Sequence, residues 1–225
     1  INKCSLRNNE APDGDGGAMF MDISSTIDTT KSIFEQNKGI RGGAIFFSRT
    51  THAKFEKGTA FNQNYAFESG GAVYIEDNYI DLTMRFDNVQ FVENVAAQDG
   101  GALSLNRASA LINECKFDGN AAVTGGALSA FGWTRAKQVN ISITGGGSSF
   151  INNNAENHRN GKGGAISVAG NASLAVYGAI RLENNRALRG GGLFATDSSF
   201  VSFNDGVWSS NKARFYRKER DDGIT

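Results

Sequence analysis

Proline is nearly absent from this chain: Pro12 is the only one in 225 residues. Disordered low-complexity chains usually carry far more proline and less hydrophobic content than the 40% found here. Charge of one sign is also missing. There are 23 basic and 23 acidic residues, which argues against a nucleic-acid or anionic-membrane partner, since both want a basic face. No run approaches the roughly 18 consecutive apolar residues of a membrane span, so no membrane insertion of this segment is expected. No signal peptide is visible, and the chain begins at Ile1 rather than Met. It reads as a piece of something longer.

Histidine is scarce too. His52 and His158 have no serine, cysteine or metal-ligand partner at useful spacing, so both read as exposed loop residues. Cysteine is limited to Cys4 and Cys115. Amphipathic runs at 3.6-residue spacing are absent, which excludes helical repeats.

Glycine is abundant, with 28 residues, and it recurs in pairs. Gly-Gly stands at Gly16–Gly17, Gly42–Gly43, Gly70–Gly71, Gly100–Gly101, Gly125–Gly126, Gly163–Gly164 and Gly190–Gly191, at intervals of 25 to 38 residues. Each pair follows an aromatic residue or Leu with Asn three positions later. These are Leu6/Asn9, Phe34/Asn37, Phe61/Asn64, Phe91/Asn94, Phe117/Asn120, Phe150/Asn153 and Leu182/Asn185, and an eighth, Trp208/Asn211, has no Gly-Gly after it. After each Gly-Gly comes a short alternating run such as AIFF or AVYI, and another alternating piece precedes the next motif. Each unit therefore holds roughly three short strands. Short strands at one period, with no helix between them, predict an all-β parallel β-helix (a solenoid) of about seven to eight coils. Residues 1–211 would form it, and residues 212–225 a charged end or linker. The start at "CSLRNN" shows no cap, so more coils or another chain are expected to precede Ile1.

The motifs have physical jobs in such a coil. Met19/Met21, Ile45/Phe47, Val73/Ile75, Leu103/Leu105, Leu128/Ala130, Ile166/Val168 and Leu193/Ala195 share one face of the first strand. They should line the core, with the Phe column stacked beside them. Phe and Asn three apart cannot share a face of a straight strand, so the chain must bend between them. Asn tolerates the left-handed region, and its amide can bond the turn and the Asn one coil away. Gly-Gly serves the next bend, through positive φ or close contact between coils.

Repeated Gly-Gly-Ala-[Ile/Leu/Val] alternating with Phe-x-x-Asn resembles the repeat of chlamydial polymorphic outer-membrane proteins. Related repeat proteins occur in other bacteria and in some eukaryotes. The similarity runs from Leu6 to Asn211. It implies a right-handed β-helix in a secreted, cell-surface or autotransporter-passenger setting, and adhesion rather than catalysis. No binding residue transfers from the family to a particular position.

Three functions remain open on this scaffold. The first is a surface β-helix presenting a rigid face to protein or glycan partners, possibly within a larger assembly. The second is a polysaccharide lyase or hydrolase, which needs clustered carboxylates in one groove. The third is a filament subunit. The residues before Gly-Gly (Asp15, Arg41, Ser69, Asp99, Thr124, Lys162 and Arg189) build no acidic ladder. Asp13 and Asp15 in DGDGG hint at calcium but lack the later ligands of a binding loop, so they read as a solvated turn. No catalytic residue, metal or cofactor is expected. The longest corner, at 154–162 around His158, is either a specific site or a tolerated insertion.

The outward column of the first strand reads Phe20, Phe46, Tyr74, then Ser104, Ser129, Ser167, then Phe194. Three stacked aromatics predict an exposed contact strip, unless a neighbouring segment covers it or the corner inverts the parity. Cys4 and Cys115 lie about 19 Å apart at four coil spacings. That exceeds the reach of a disulfide, so two unpaired, buried thiols are expected. Asn140 and Asn171 begin glycosylation sequons, with Asn140 expected to point outward.

Overall fold

The computed structural model describes residues 1–49, 52–77, 84–133, 139–156 and 160–214. Among them every named strand pairing is parallel, and each strand pairs with its equivalent one repeat away. Strands Met19–Met21, Ile45–Ser48, Val73–Glu76, Leu103–Asn106, Leu128–Gly132, Ile166–Gly170 and Leu193–Ala195 stack as one seven-stranded sheet behind the Gly-Gly bends. The Phe strands and the strands preceding them form a second, larger sheet, joined through Ala172–Glu183. A fourth ladder was not anticipated. Two-residue strands such as Lys38–Gly39 and Tyr65–Ala66 follow the Asn of each motif and pair from coil to coil.

Register is held at equivalent motif positions. Phe34 pairs with Phe61, Phe61 with Phe91, and Phe91 with Phe117. Their rings stack at 4.7, 5.1 and 4.7 Å, and Phe117 stacks on Phe150 at 4.5 Å. Phe55 and Phe86 form a second stack at 5.2 Å, edge-on to the first. All are fully buried, and each such side chain stabilises the fold by about 1.5–3 kcal/mol.

The Asn column is buried at Asn37, Asn64, Asn94, Asn120, Asn153 and Asn185. Each Nδ2 donates to the Oδ1 of the next Asn and to the backbone carbonyl of the preceding coil's Phe or Leu. For Asn64 these bonds go to Asn94 at 2.9 Å and to Phe34 O at 3.0 Å. The ladder ends at Asn211, which accepts from Asn185 and donates to Leu182 O at 2.8 Å.

The expectation that the motif Asn itself takes the left-handed region needs correction, and Asn153 shows why. Asn153 opens the longest corner, yet the positive φ belongs to Asn152, at 56°. Asn153 is fully buried, its Nδ2 donating to Asn185 Oδ1 at 3.0 Å and to Phe117 O at 3.1 Å. Its Oδ1 accepts from both the backbone N–H and the Nδ2 of Asn120, each at 3.0 Å. The same offset holds at Gln36, Gln63, Glu93 and Asn184, all with φ of 53–55°. One left-handed residue re-phases the chain, so Phe and Asn both point inward. The Asn amide is then committed to the ladder and takes no part in making the bend.

The two glycines of a pair do different work. Gly42 has φ +66°, and a Cβ on Gly43 would collide with the carbonyl of Gly71 and lie 2.5 Å from that of Tyr65. The first residue must be left-handed, and the second must let two coils touch.

Several further expectations need correction. Cys4 is exposed, because it sits in the first coil with no described strand on its outer side, whereas Cys115 is buried. Neither is paired. Burial pushes the Cys115 thiol up to about 12. Trp208 pairs with Leu182 in the Phe column yet is largely exposed, since no described strand covers its far side. His52 is not a loop residue: it opens strand His52–Phe55 and is half-buried. Strand Lys212–Ala213 still pairs with Arg186–Ala187, two residues beyond the expected end of the repeats. His158 and residues 215–225 lie outside the described residues.

Candidate functional site

The outward column of the seven-stranded sheet holds the most varied chemistry. Phe20, Phe46 and Tyr74 stack ring on ring at 4.9 and 5.5 Å. Their parity is outward, but the strip is not open: Phe20 is 54% exposed, Phe46 3% and Tyr74 6%. Arg41 covers it. Its guanidinium lies 4.7 Å from the Phe46 ring centroid and 5.3 Å from that of Tyr74. It is fixed at one end by a bidentate pair with Asp15, at 2.7 and 3.1 Å, and at the other by Glu76 at 2.6 Å. These contacts hold Arg41 charged, led by the hydrogen bond to Asp15. Asp15, one of the two DGDGG carboxylates, is thus engaged by an arginine.

Beyond Tyr74 the column turns small. The register places Tyr74, Ser104, Ser129, Ser167 and Phe194 side by side on successive strands. Three short side chains between two aromatic ones leave a trough, a groove of about 230 Å³. The serines form its floor. Ser69, Asp99 and Thr124, each just before a Gly-Gly, line one wall. Asn106 and Phe131, two residues further along their strands, line the other with Trp133. The Tyr74 hydroxyl accepts a hydrogen bond from Asn106 Nδ2 at 3.0 Å, and burial raises its pKa.

Among the described residues Asp99 is the one carboxylate in the lining. Burial pushes its pKa up, while hydrogen bonds from Thr124 and Ser69 pull the other way. The Ser69 hydroxyl donates to Oδ2 at 3.4 Å. Ser104, Ser129 and Ser167 are only 5, 8 and 2% exposed. Their hydroxyls make no hydrogen bond to another described residue, and their oxygens stay open to the groove.

Trp133 stands largely exposed at the rim. Its ring lies 6.4 Å from that of Phe131, and the Arg107 guanidinium sits 5.7 Å from its centroid. Arg107 is itself paired with Asp77 at 2.5 Å. Phe131 and Trp133 also line a second hollow of about 400 Å³, with Gly132, Gly170, Asn171, Asp197 and Ser198. Trp133 was not singled out from the sequence, because it lies past the four-residue run that repeats. The available signal was the alternation Ser129, Phe131, Trp133, which continues the outward face.

Asn140 is exposed on strand Val139–Thr144, and Asn171 is half-buried between two strands. No group of three or more His, Cys, Asp or Glu side chains comes together among the described residues. Among the described residues no helix is long and apolar enough to cross a membrane.

No family model matches the chain, and no solved structure does. A curated relative is the probable outer membrane protein pmp7 of Chlamydia pneumoniae. It is 30% identical over 167 residues, 68% of this chain and 17% of the relative. The chain thus spans about a sixth of that relative's length. Stacked Phe-x-x-Asn and Gly-Gly-Ala columns, parallel coils and this likeness make the chain a β-helix repeat protein of the polymorphic outer-membrane protein type.

Proposed function

We propose that this segment is a rigid adhesive element displayed at a cell surface, and that it presents the outward face of its seven-stranded sheet to protein or glycan partners. The observation that carries the reading is the division of labour along each coil. The motif residues are consumed by the scaffold, in buried Phe and Asn ladders. The outward positions vary from coil to coil and open into the groove beside Trp133. A scaffold whose two larger sheets are paired on both sides through the middle coils moves little. A partner therefore meets a preorganised surface and loses little entropy to ordering it. The outer-membrane name of the relative supports the surface setting.

The hydrolase reading is weaker on the same groove. Glycoside hydrolysis generally uses two carboxyl groups flanking the scissile bond, and among the described residues this lining holds Asp99 alone.

The test is adhesion itself. Beads coated with the folded chain are allowed to settle on cultured animal cells and are washed under shear. Retention well above that of beads coated with the heat-denatured chain is expected. Equal retention of the two would overturn the adhesive reading.

A further inference from the structure

We infer that the groove over Ser104, Ser129 and Ser167, together with the hollow beyond Trp133, binds a neutral oligosaccharide. This rests on the adhesive reading and names the ligand class of that surface.

The three serines carry the argument. Each is more than nine-tenths buried, lines the groove, and lacks a hydrogen-bond partner within the described residues. A hydroxyl both donates and accepts. A floor of three hydroxyls in register, each open to the groove and without a partner among the described residues, is matched by a ligand that carries a row of hydroxyls itself. Sugars do. The walls fit the same ligand. Asp99 and Asn106 offer further polar atoms, and Trp133 offers an exposed aromatic face for the apolar C–H side of a sugar ring.

Charge disfavours the main rivals. A phosphate, sulfate or carboxylate ligand is usually met by Arg or Lys; among the described residues neither lines either hollow, and Arg107, at the rim beside Trp133, is already paired with Asp77. A peptide added as an extra strand needs an unpaired sheet edge. The strands beneath the groove, Leu103–Asn106 and Leu128–Gly132, are paired on both sides. A methylated ammonium ion would suit the aromatic rim, but it offers the serine hydroxyls no hydrogen-bonding partner.

Size and shape set the ligand's length. The groove, at about 230 Å³, is smaller than the roughly 300–1,000 Å³ of sites for drug-sized ligands, so it has room for about one ring. The hollow of about 400 Å³ shares Phe131 and Trp133 with it. Two adjacent subsites astride one aromatic pair suit a disaccharide or longer chain.

The test uses the whole chain with Trp208→Phe, which leaves Trp133 as the sole tryptophan. Cellotetraose, maltotetraose and the tetramer of N-acetylglucosamine are titrated in turn, with a heparin tetrasaccharide and choline as controls. At least one neutral sugar should shift the Trp133 emission and saturate at millimolar concentration or below. In calorimetry on otherwise native chain, Trp133→Ala should weaken it at least tenfold, and Ser129→Ala several-fold, with melting curves unchanged. Three results would each overturn the inference: no response to any neutral sugar, tighter binding of heparin or choline, or sugar binding indifferent to Trp133→Ala. If the sugars fail but coated beads still adhere, only this inference falls. If the beads fail as well, the adhesive reading falls with it.

Discussion

Asn64 gives two hydrogens to one oxygen of Asn94. Its backbone N–H donates to Asn94 Oδ1 at 3.0 Å and its Nδ2 donates to the same atom at 2.9 Å. The second Nδ2 hydrogen goes to the carbonyl of Phe34. One buried side chain thus ties three successive coils together. Only a primary amide can do this, because the position needs an acceptor facing one neighbour and two donors facing others.

Replacing Asn94 tests that requirement. Asn94→Ala leaves two donors of Asn64 and the carbonyl of Phe61 without partners. Each unsatisfied buried group costs about 1–3 kcal/mol, so a loss of about 3 kcal/mol or more is expected in urea melts. Asn94→Asp should be worse at pH 7, since it buries a carboxylate against Phe61 O and Asn120 Oδ1. Burial without a cation raises that carboxyl's pKa in the folded state. Its penalty should therefore grow as pH rises above the unfolded carboxyl range and shrink in acid. An Asp variant as stable as wild type at neutral pH would show that the ladder does not hold the coils.

Phe91→Ala removes a ring stacked at 5.1 Å on Phe61 and 4.7 Å on Phe117. A cost of about 3–5 kcal/mol is expected. A loss below about 1 kcal/mol in denaturant melts would contradict its place in the core.

Gly43→Ala and Gly146→Ala form a matched pair. A Cβ at Gly43 meets the backbone of the neighbouring coils, while one at Gly146 meets nothing within 4 Å. The first should cost more than about 4 kcal/mol or prevent folding, and the second should stay within about 0.5 kcal/mol of wild type. Similar melting points for the two would rule out the close coil contact.

Cys4 and Cys115 should separate cleanly with a thiol reagent, because one is exposed and one buried. One thiol should react in the native chain and two after denaturation. The burial that pushes Cys115 up to about 12 also makes stability depend on pH. The unfolded thiol ionises near 8.5, so its contribution is full below that pH and declines as pH rises toward 12. Cys115→Ala should flatten the decline measured between pH 9 and 11. An identical slope in the variant would place the titration elsewhere.

Arg41→Met keeps the length of the cover over Phe46 and Tyr74 but removes its charge. The loss of two partly buried ion pairs and two ring contacts should cost about 1–2 kcal/mol. The cost should shrink in 1 M salt, where the wild-type ion pairs are screened. A variant of unchanged stability would reduce Arg41 to a bystander.

Much of the architecture was legible in the residue order alone. Gly-Gly, Phe-x-x-Asn and the alternating runs recur, and a solenoid gives equivalent residues equivalent surroundings. Period therefore translates directly into stacked strands, an apolar interior and two kinds of corner. The corner's detail was not legible: the left-handed residue precedes Asn, as Asn152 precedes Asn153, because Asn's own amide is bound by its neighbours across coils. The fate of the outward column was not legible either. Phe46 and Tyr74 share the parity of Phe20, yet Arg41 covers them, and it does so only because Asp15 and Glu76 lie within reach on coils above and below. The groove likewise depends on Asp99, Ser129 and Trp133 converging from different columns. Such convergence has no period, and only the stacking of coils in space brings it about.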